Sequence, residues 1–390
     1  MSNESASKPM YEKIFETLRD QIIERKYEVG DRVPSEKELG DEHGVSRITS
    51  KKALELLASE GYIIRQPGRG SFVADSQDKA AVKPASGAAH LQQTTPRNTG
   101  GKLLIGLVIT DFADSYGTGL IYGMEEASRE NDSYLVLRRS FGIPSYEEEA
   151  IQGLLELGVD GLIIFPAQGE YFNAEILKLA IMKFPFVLID RHLKGISAGS
   201  ISTDNVKAAI KGTNYLFELG HKSIAFLTPP PRDTTAIEDR IEGFIQAHAE
   251  KGIMVDRELW IDDIMSALPQ GNAEENRIRD IEKIIAHLRQ YPQITAIFAT
   301  EYNIAQLALR AASEMGLSVP GDISVICFDS PEINGGFPLT HLQQNQFGMG
   351  KTAYENVLKL REGYTPPNRT LLEATLIPGD STGPARARAR

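Results

Sequence analysis

Short apolar runs alternate with longer amphipathic stretches over most of the chain from residue 102 onward. KLLIGLVIT is followed by GTGLIYGMEEASREN, and further apolar runs are YLVLRRS, DGLIIFP, FPFVLID, SIAFLT, TAIFAT and ISVICF. Buried strands separated by helical stretches of roughly ten to fifteen residues are typical of parallel β-α-β units. The pattern therefore predicts an α/β body made of two parallel Rossmann-like halves, one up to about residue 192 and the other from about residue 200.

A different pattern precedes that body. Apolar residues recur at helical spacing over 10–26 and predict a first helix. Ser35 with Glu38 three residues later forms a capping box, which opens a short second helix that ends at Gly44. A third amphipathic helix begins after Ser46, and YIIRQ and SFVAD form two strands joined by PGRG. Three helices and a two-stranded wing predict a winged helix-turn-helix.

The stretch between these two parts, from Asp75 to Lys102, contains almost no large apolar residues. Such a composition cannot bury enough surface to fold, so it predicts a flexible linker. The predicted organisation is a DNA-binding head at 1–76, a linker at 77–101, a body at 102–384 with subdomains of roughly 102–192 plus 343–365 and 198–340 plus 366–384, and a disordered tail at 385–390.

The charge distribution indicates which part of the head is expected to contact DNA. The net charge of −11 over 390 residues argues against a protein that coats nucleic acid by bulk charge. From residue 43 to 73, however, lysine and arginine outnumber the acids. Arg47 and Thr49 open the third helix, whose N-terminus enters the major groove in a helix-turn-helix. Lys51 and Lys52 suit phosphates as point charges. Taken singly, Arg47, Lys51 and Lys52 also fit a solvated helix face; the ordered set is more specific.

Several classes of function lack support in the sequence. Cys327 is the single cysteine and is expected to be a buried small hydrophobe, which fits a reducing cytosol. The N-terminus has no apolar signal segment, and no run is long enough to span a membrane, so a cytoplasmic protein is expected. The scattered histidines form no metal motif, and no nucleophile elbow or poised acid–base pair is evident. We therefore expect no metal, no cofactor and no enzymatic activity.

DRVPSEKELGDEHGVSRITSKKALELLASEGYIIRQPGRGSFV resembles the winged-helix domain of the gluconate-repressor (GntR) family, and the match covers residues 11–73. The resemblance implies DNA contacts, including a slim wing that reaches the minor groove. Lys52 stands where the family usually has Arg, so a phosphate contact is expected there. With the basic Lys51, the expected DNA-binding residues are Arg32, Ser35, Glu36, Ser46, Arg47, Thr49, Lys51, Lys52, Gly68, Arg69 and Gly70.

The body resembles the effector domain of the lactose/galactose-repressor (LacI/GalR) family, which has the periplasmic-binding-protein fold, through IGLVITDFADSYGTGLIYGMEEA, GVDGLIIFP, ISTDNVKAAIKGTNYLFELGHKSIAFLT and ISVICFDS. A GntR-type head on such a body is the arrangement of arabinose-utilisation-type repressors. Ligands of open α/β sheets bind beyond the carboxyl ends of the strands, and the resemblance adds Tyr116, Arg240, Asp329 and Gln344. The expected ligand-binding residues are Asp111, Phe112, Tyr116, Arg191, Arg240, Glu301, Tyr302, Asp329 and Gln344.

Other roles are open for three of these residues. Arg191 could pair with Asp190 or Asp204 instead, Asp111 could cap the following helix, and Tyr116 could serve as hinge packing. Glu301-Tyr302 departs from the Asn-Asp usual in the family, which affects the identity of the ligand.

The expected function is a dimeric, ligand-responsive repressor of carbohydrate-utilisation genes that binds palindromic double-stranded operator DNA and is released by a sugar, L-arabinose or a related monosaccharide. Two alternatives are a repressor strengthened by a corepressor, such as a nucleobase or phosphorylated sugar, and an enzyme or free sugar-binding protein.

Overall fold

The computed structural model describes residues 10–59, 61–66, 70–74, 101–167, 173–193, 195–196, 198–231, 234–331 and 337–386. The predicted wing residues Gly68 and Arg69, nearly all of the predicted linker and the last four residues of the tail lie outside the described residues.

The head is a winged helix-turn-helix, as predicted. Its elements are α1 (Met10–Ile23), β1 (Arg32–Val33), α2 (Glu36–His43), α3 (Arg47–Ser59), β2 (Ile63–Gln66) and β3 (Gly70–Val73). The strands form an antiparallel sheet in the order β1-β3-β2. Apolar side chains from all three helices and both wing strands form one core, which includes Phe15, Leu39, Leu57 and Val73. Helix α1 ends at Ile23, three residues before the predicted end.

The first sheet of the body contains six parallel strands in the order β14-β8-β7-β6-β4-β5. They are β4 (Leu104–Ile109), β5 (Tyr134–Arg139), β6 (Gly161–Ile164), β7 (Phe186–Ile189), β8 (Gly199–Thr203) and β14 (Arg369–Leu372). The packed helices are α4 (Thr118–Glu130), α5 (Pro144–Leu157), α6 (Ala174–Ile181) and α11 (Gln346–Arg361). Alternate residues of β4 enter two different cores: Leu107 packs with α4 and α11, and Val108 packs with α5 and α6.

The second sheet has the strand order β10-β9-β11-β12-β13-β15, and only β15 is antiparallel to its neighbour. Its strands are β9 (Ile224–Leu227), β10 (Trp260–Ile261), β11 (Ala296–Ala299), β12 (Ser324–Phe328), β13 (Thr340–Gln343) and β15 (Thr375–Ile377). Its helices are α7 (Asn205–Glu218), α8 (Thr235–Glu250), α9 (Glu274–Gln290), α10 (Tyr302–Glu314) and a short 3-10 helix, Arg257–Leu259.

The division between the subdomains differs from the expected one. The sequence pattern predicts residues 199–203 and 369–372 in the second subdomain, but β8 pairs with β7 and β14 pairs with β8, so both strands belong to the first sheet. The chain consequently crosses between the sheets after Thr203, after Gln343 and after Leu372. Apolar spacing identifies a strand but carries no information about which sheet accepts its backbone hydrogen bonds, so the boundary was misplaced.

The start of the predicted disordered tail is ordered. The Ala385 N–H donates to Leu219 O at 2.8 Å, and Arg386 Nη2 donates to Pro292 O at 3.1 Å. Arg386 also lies 3.8 Å from Asp322. These contacts hold the first tail residues against the second subdomain.

Within the described part of the chain, no helix is both long and apolar enough to cross a membrane. The same residues include no group of three or more His, Cys, Asp or Glu placed to hold a metal ion.

Candidate nucleic-acid interface and ligand cleft

The turn between α2 and α3 is fixed by caps that the sequence signals. Ser35 accepts the Glu38 N–H, and Glu38 Oε2 accepts the Ser35 N–H at 2.7 Å, which completes the capping box. Gly44 ends α2 in the left-handed region at φ 62°. Ser46 Oγ accepts the Thr49 N–H at 3.2 Å and lies 2.9 Å from the Thr49 hydroxyl. These bonds leave the first turn of α3 ordered before any DNA is bound.

Glu36 holds two arginines, Arg47 of the predicted DNA surface and Arg65 of β2. Arg47 Nε lies 3.2 Å from Glu36 Oε2, and Arg65 Nη2 lies 2.5 Å from Glu36 Oε1. The Arg47 side chain is 79% exposed. Exposed ion pairs are worth about 0–1 kcal/mol, so phosphate or base acceptors can replace Glu36 as the partner of the exposed Arg47 at little cost. Because the Glu36 carboxylate would be repelled by phosphate, we expect it to align the two guanidinium groups rather than to contact the DNA backbone.

Arg32 and Gly70 lie side by side at the base of the wing. Gly70 has φ 119°, and a Cβ at this position would approach Arg32 Nε to 2.9 Å. The positive φ therefore favours glycine at this position, whereas the flexible Arg32 side chain could move away from a Cβ. Arg32 is exposed on β1 and remains available for a phosphate.

Lys52 does not occupy the position predicted for it. Its Nζ lies 3.8 Å from the centroid of the Tyr11 ring and donates to Gly195 O at 3.3 Å, and the residue is 4% exposed. Lys52 is therefore not a phosphate contact in this conformation. The next residue back, Lys51, is partly exposed and lies 3.8 Å from Glu55. Successive helical residues are turned by about 100°, which separates the two lysines onto different faces.

In the body, polar residues follow the carboxyl ends of strands in both sheets. Asp190 follows β7, Glu301 follows β11 after one residue, Asp329 follows β12 and Gln344 follows β13. Asp190 and Asp329 have φ values of 69° and 54°. Non-glycine residues are uncommon in this region of backbone space, and they occur where surrounding structure and function require them.

Arg240 on α8 is buried between several of these groups. Its Nε donates to Asn205 Oδ1 at 2.8 Å, and Nη1 donates to Thr300 O at 2.6 Å. The guanidinium carbon lies 3.8 Å from the centroid of the Phe328 ring. These contacts hold the guanidinium plane at the strand ends of the second sheet, where it can donate to hydroxyl groups.

Asp329 and two glutamines connect the subdomains. Gln344 donates to both oxygens of Asp329, through its backbone N–H at 3.2 Å and through Nε2 at 2.6 Å. Gln344 Oε1 accepts from Thr203 Oγ1 at 2.6 Å. Gln346 Nε2 donates to Asp329 Oδ1 at 3.4 Å, and its Oε1 accepts the Gly117 N–H at 2.9 Å. Since Thr203 and Gly117 belong to the first subdomain, this network spans both.

Burial raises the pKa of both acids at the ends of the second sheet. Burial is the largest influence on the Asp329 pKa, and hydrogen bonds from Gln344 and the charge of Arg240 oppose it. The Glu301 pKa is also raised by burial, and the charges of Arg240 and Arg191 oppose that rise. Glu301 keeps part of its side chain accessible. Both carboxyls therefore take up protons more readily than free carboxyls do, and they accept hydrogen bonds when ionised.

Tyr116 and Arg191 come together on Asp190. The Tyr116 hydroxyl donates to Asp190 Oδ1, and the Tyr116 ring packs edge-on against Phe165 at 6.3 Å between centroids. Burial raises the pKa of Tyr116, so the hydroxyl stays protonated as a donor. Arg191 Nε lies 3.5 Å from Asp190 Oδ2, and Nη1 donates to Pro166 O at 3.3 Å. The alternative partner Asp204 instead caps α7.

Three predicted ligand residues, Asp111, Phe112 and Tyr302, lie at the edge of the buried polar cluster or away from it. Asp111 and Phe112 are exposed, and Arg139 Nη1 lies 3.3 Å from Asp111 Oδ1. Asp111 does not cap α4, which begins after Gly117 without a side-chain cap. Tyr302 packs against the apolar core of the second subdomain.

Unpaired polar groups mark the second-subdomain side of the cleft. Among the residues that the structure describes, the hydroxyls of Thr228, Thr234 and Thr300 are buried without a hydrogen-bond partner. Thr228 follows β9, Thr300 follows β11 and Thr234 precedes α8. Buried polar groups normally find partners, so these hydroxyls are candidates for bonds to a bound molecule.

Several members of the site lay outside the predicted set. Asp190, Asn205, Thr203, Gln346 and Thr235 all contribute contacts described here or below. Asp190 carried a usable signal, because it ends the apolar run FPFVLID. The other four have no local signal, since their roles depend on which strands and helices meet.

Known proteins resemble both parts of the chain. Residues 10–73 match the family model for bacterial regulatory proteins of the gntR family, and residues 213–382 match the model for a periplasmic binding protein-like domain. The arabinose metabolism transcriptional repressor of Halalkalibacterium halodurans is 26% identical over 90% of this chain and 89% of that protein. The repressor of the same name from Geobacillus stearothermophilus is 26% identical over 91% and 92%.

A solved structure supports the fold of the body. Transcription regulator CcpA of Lactococcus lactis superposes with a TM-score of 0.62 at 20% identity, covering 72% of this chain and 99% of that chain. The two matched models and the full-length relatives indicate a DNA-binding transcription regulator with a periplasmic binding protein-like second domain. Its head matches the gntR-family model, and its second domain matches the model of a periplasmic binding protein-like domain.

Proposed function

We propose that this chain is a repressor of carbohydrate-utilisation genes whose operator affinity falls when a small, neutral, hydroxyl-rich molecule binds between the two subdomains. L-Arabinose or a related monosaccharide is the first candidate. The names of the full-length relatives support a repressor of this kind. The observation that carries the proposal is the buried pair Arg240 and Asp329 beside the partly accessible Glu301, at the strand ends of a body joined to a winged helix.

The charge of the cleft favours a neutral ligand over a phosphorylated one. Asp190, Glu301 and Asp329 are three acids, and Arg191 and Arg240 are two bases; the Arg191 charge is already shared with Asp190. A phosphate would add negative charge beside acids that burial already disfavours in their ionised form. Sugar hydroxyls both donate and accept, so they suit this mixture and the unpaired threonine hydroxyls.

The DNA side of the proposal rests on the head. Each head covers one half-site, so a palindromic operator requires a two-fold dimer in the cytoplasm where the genes are read. A ligand lowers operator affinity only if it binds the low-affinity arrangement better.

The test combines ligand screening with DNA binding. The purified full chain is scanned for a rise in melting temperature with L-arabinose, D-xylose, L-rhamnose, D-galactose and nucleobases. Operator fragments are selected from genomic DNA and titrated with and without each hit. The expected result is one monosaccharide that raises the melting temperature and weakens operator binding. A nucleobase that strengthens operator binding would instead support the corepressor alternative, and a hit that leaves operator affinity unchanged would refute the coupling.

A further inference from the structure

The head contacts the first subdomain through an apolar patch on the body. Leu177 on α6 is 1% exposed and belongs to the apolar core of the head rather than to that of its own sheet. Ile181, one turn later on α6, and Ile196 pack against the same core. The patch formed by Leu177, Ile181 and Ile196 is called the docking patch below. Its occupant is the head of the same chain, chiefly α3.

Lys52 adds a polar contact to this docking. Its ammonium group donates to Gly195 O and lies over the Tyr11 ring of the head. A lysine over an aromatic face gains electrostatic energy when it is shielded from water. Because Gly195 is next to Ile196, the polar and apolar contacts reach the same short segment of the body.

That segment begins at the ligand cleft. Asp190 accepts from Tyr116 and lies beside Arg191 at one end, and Gly195 and Ile196 contact the head at the other. The segment spans only seven residues. Asp190 is therefore close enough to Ile196 along the chain for a shift of Asp190 to move Ile196.

The same segment also touches the second subdomain. The His192 N–H lies 3.3 Å from Thr235 Oγ1, and that hydroxyl lies 3.3 Å from His192 O. Thr235 opens α8, which carries Arg240 one turn and a half later. A movement of α8 on closure of the cleft would therefore act directly on residue 192.

From this continuity we infer that residues 190–193, 195 and 196 transmit the state of the cleft to the docked head, so that cleft occupancy alters head docking by direct contact and not only through the linker. This inference rests on the proposed function for the identity of the ligand, but the docking and its link to Asp190 are testable without any ligand. The head has two states, docked on the body or released from it. The state of the cleft shifts the equilibrium between them.

Pulsed electron paramagnetic resonance on the full chain tests the docking. Spin labels are placed at Lys37→Cys on α2 and Glu156→Cys on α5, both exposed, while Cys327 is fully buried and is not labelled in the folded protein. Labelled chains are diluted with unlabelled protein to suppress distances between subunits. A single narrow distance distribution is expected. Leu177→Asp should abolish the narrow peak, because it places a charge in the docking patch.

Lys52→Ala and Lys51→Ala form a matched pair for the same measurement. Loss of the narrow peak is expected for Lys52→Ala and not for Lys51→Ala, since only Lys52 reaches Gly195. If Leu177→Asp fails to fold, the comparison of Lys52→Ala with Lys51→Ala still tests the docking. A narrow peak that survives both Leu177→Asp and Lys52→Ala would overturn the docking.

Variants at the cleft end test the transmission. Tyr116→Phe and Asp190→Asn leave every docking residue in place but remove or weaken the bond between them. Each is expected to broaden the distance distribution between head and body. If both retain the parent distribution while Leu177→Asp loses it, docking stands and transmission is refuted. Failure of the sugar screen together with a broadened distribution would instead refute the proposed ligand and leave the transmission intact.

Discussion

Replacing Arg240 with Met tests whether the buried guanidinium organises the second-subdomain side of the cleft. Methionine keeps much of the length and the contact with the Phe328 ring, but it removes the charge and both hydrogen bonds. Asn205 Oδ1 and Thr300 O then lose their donor in a buried environment. At roughly 1.5 kcal/mol for each bond from a charged donor, the free energy of unfolding should fall by about 3 kcal/mol near neutral pH.

The pH dependence of this loss has a definite sign. The Arg240 charge opposes the rise that burial causes in the pKa of Glu301 and Asp329. Without it, both pKa values rise further in the folded state, so the folded state binds more protons than the unfolded chain. Stability then falls as pH rises. The destabilisation by Arg240→Met should therefore be largest at neutral pH and shrink as the pH is lowered through the raised pKa values of the two acids.

Urea unfolding followed by tryptophan fluorescence measures this effect. The single tryptophan, Trp260, lies in the core of the second subdomain, so the signal reports the part that contains Arg240. Arg310→Met is the matched control, because Arg310 is 68% exposed and pairs with Glu314 one helical turn away. The loss of stability in this control should stay below about 1 kcal/mol. An Arg240→Met loss no larger than that of the control, or one that does not shrink at low pH, would refute the reasoning.

Three further predictions concern DNA and ligand binding. Arg47→Ala should cost about 1–3 kcal/mol in operator binding and relax the preference at one base position, measured by titration of operator variants; an unchanged preference would remove Arg47 from base recognition. Lys51→Ala should reduce the slope of log affinity against log salt by about 1. Lys52→Ala should leave this slope unchanged, because Lys52 is turned toward the body. A reduced slope for Lys52→Ala would show that Lys52 contacts phosphate. Asp329→Asn should weaken monosaccharide binding by about tenfold or more in calorimetry, since a charged acceptor strengthens hydrogen bonds to hydroxyls, and equal affinity would place the sugar elsewhere.

The α/β nature of the body and the winged helix were both evident from local patterns. Each of β6, β7, β9 and β11 is fully buried, so each is a continuous apolar run. Such a run can be recognised as a strand without knowing which strands lie beside it. The caps of α2 and α3 involve residues three apart in the chain, which is why Ser35 and Ser46 could be assigned from spacing alone.

The sequence predicts the gathering of polar side chains at the strand ends, because ligands of open α/β sheets bind beyond the carboxyl ends of the strands. That rule located Arg191, Glu301 and Asp329 near the ends of strands. It also included Tyr302, which opens α10 and packs inward with the core. Glu301 and Tyr302 are adjacent in the chain. Their surroundings differ only because α10 begins at Tyr302 in a direction that turns this side chain toward the core.

Helical rotation made a similar difference in the head. Lys51 and Lys52 are chemically identical and adjacent, so composition and charge assign them the same role. The packing of α1 and the body against α3 gives Lys52 the Tyr11 ring and the Gly195 carbonyl, while Lys51 remains partly exposed beside Glu55. Charge patterns therefore predict α3 as the DNA-contacting helix, whereas its rotation against neighbouring elements decides what each side chain contacts.

Local pattern thus sufficed for strands, helices, caps and the basic helix of the head, because each depends on residues close together in the chain. The sheet that receives β8 and β14, the network from Thr203 through Gln344 to Asp329, and the contact of Ile196 with the head depend on partners far away in sequence. Such contacts form only when separate elements pack together, and the periodicity of one segment carries no record of which distant segment it meets.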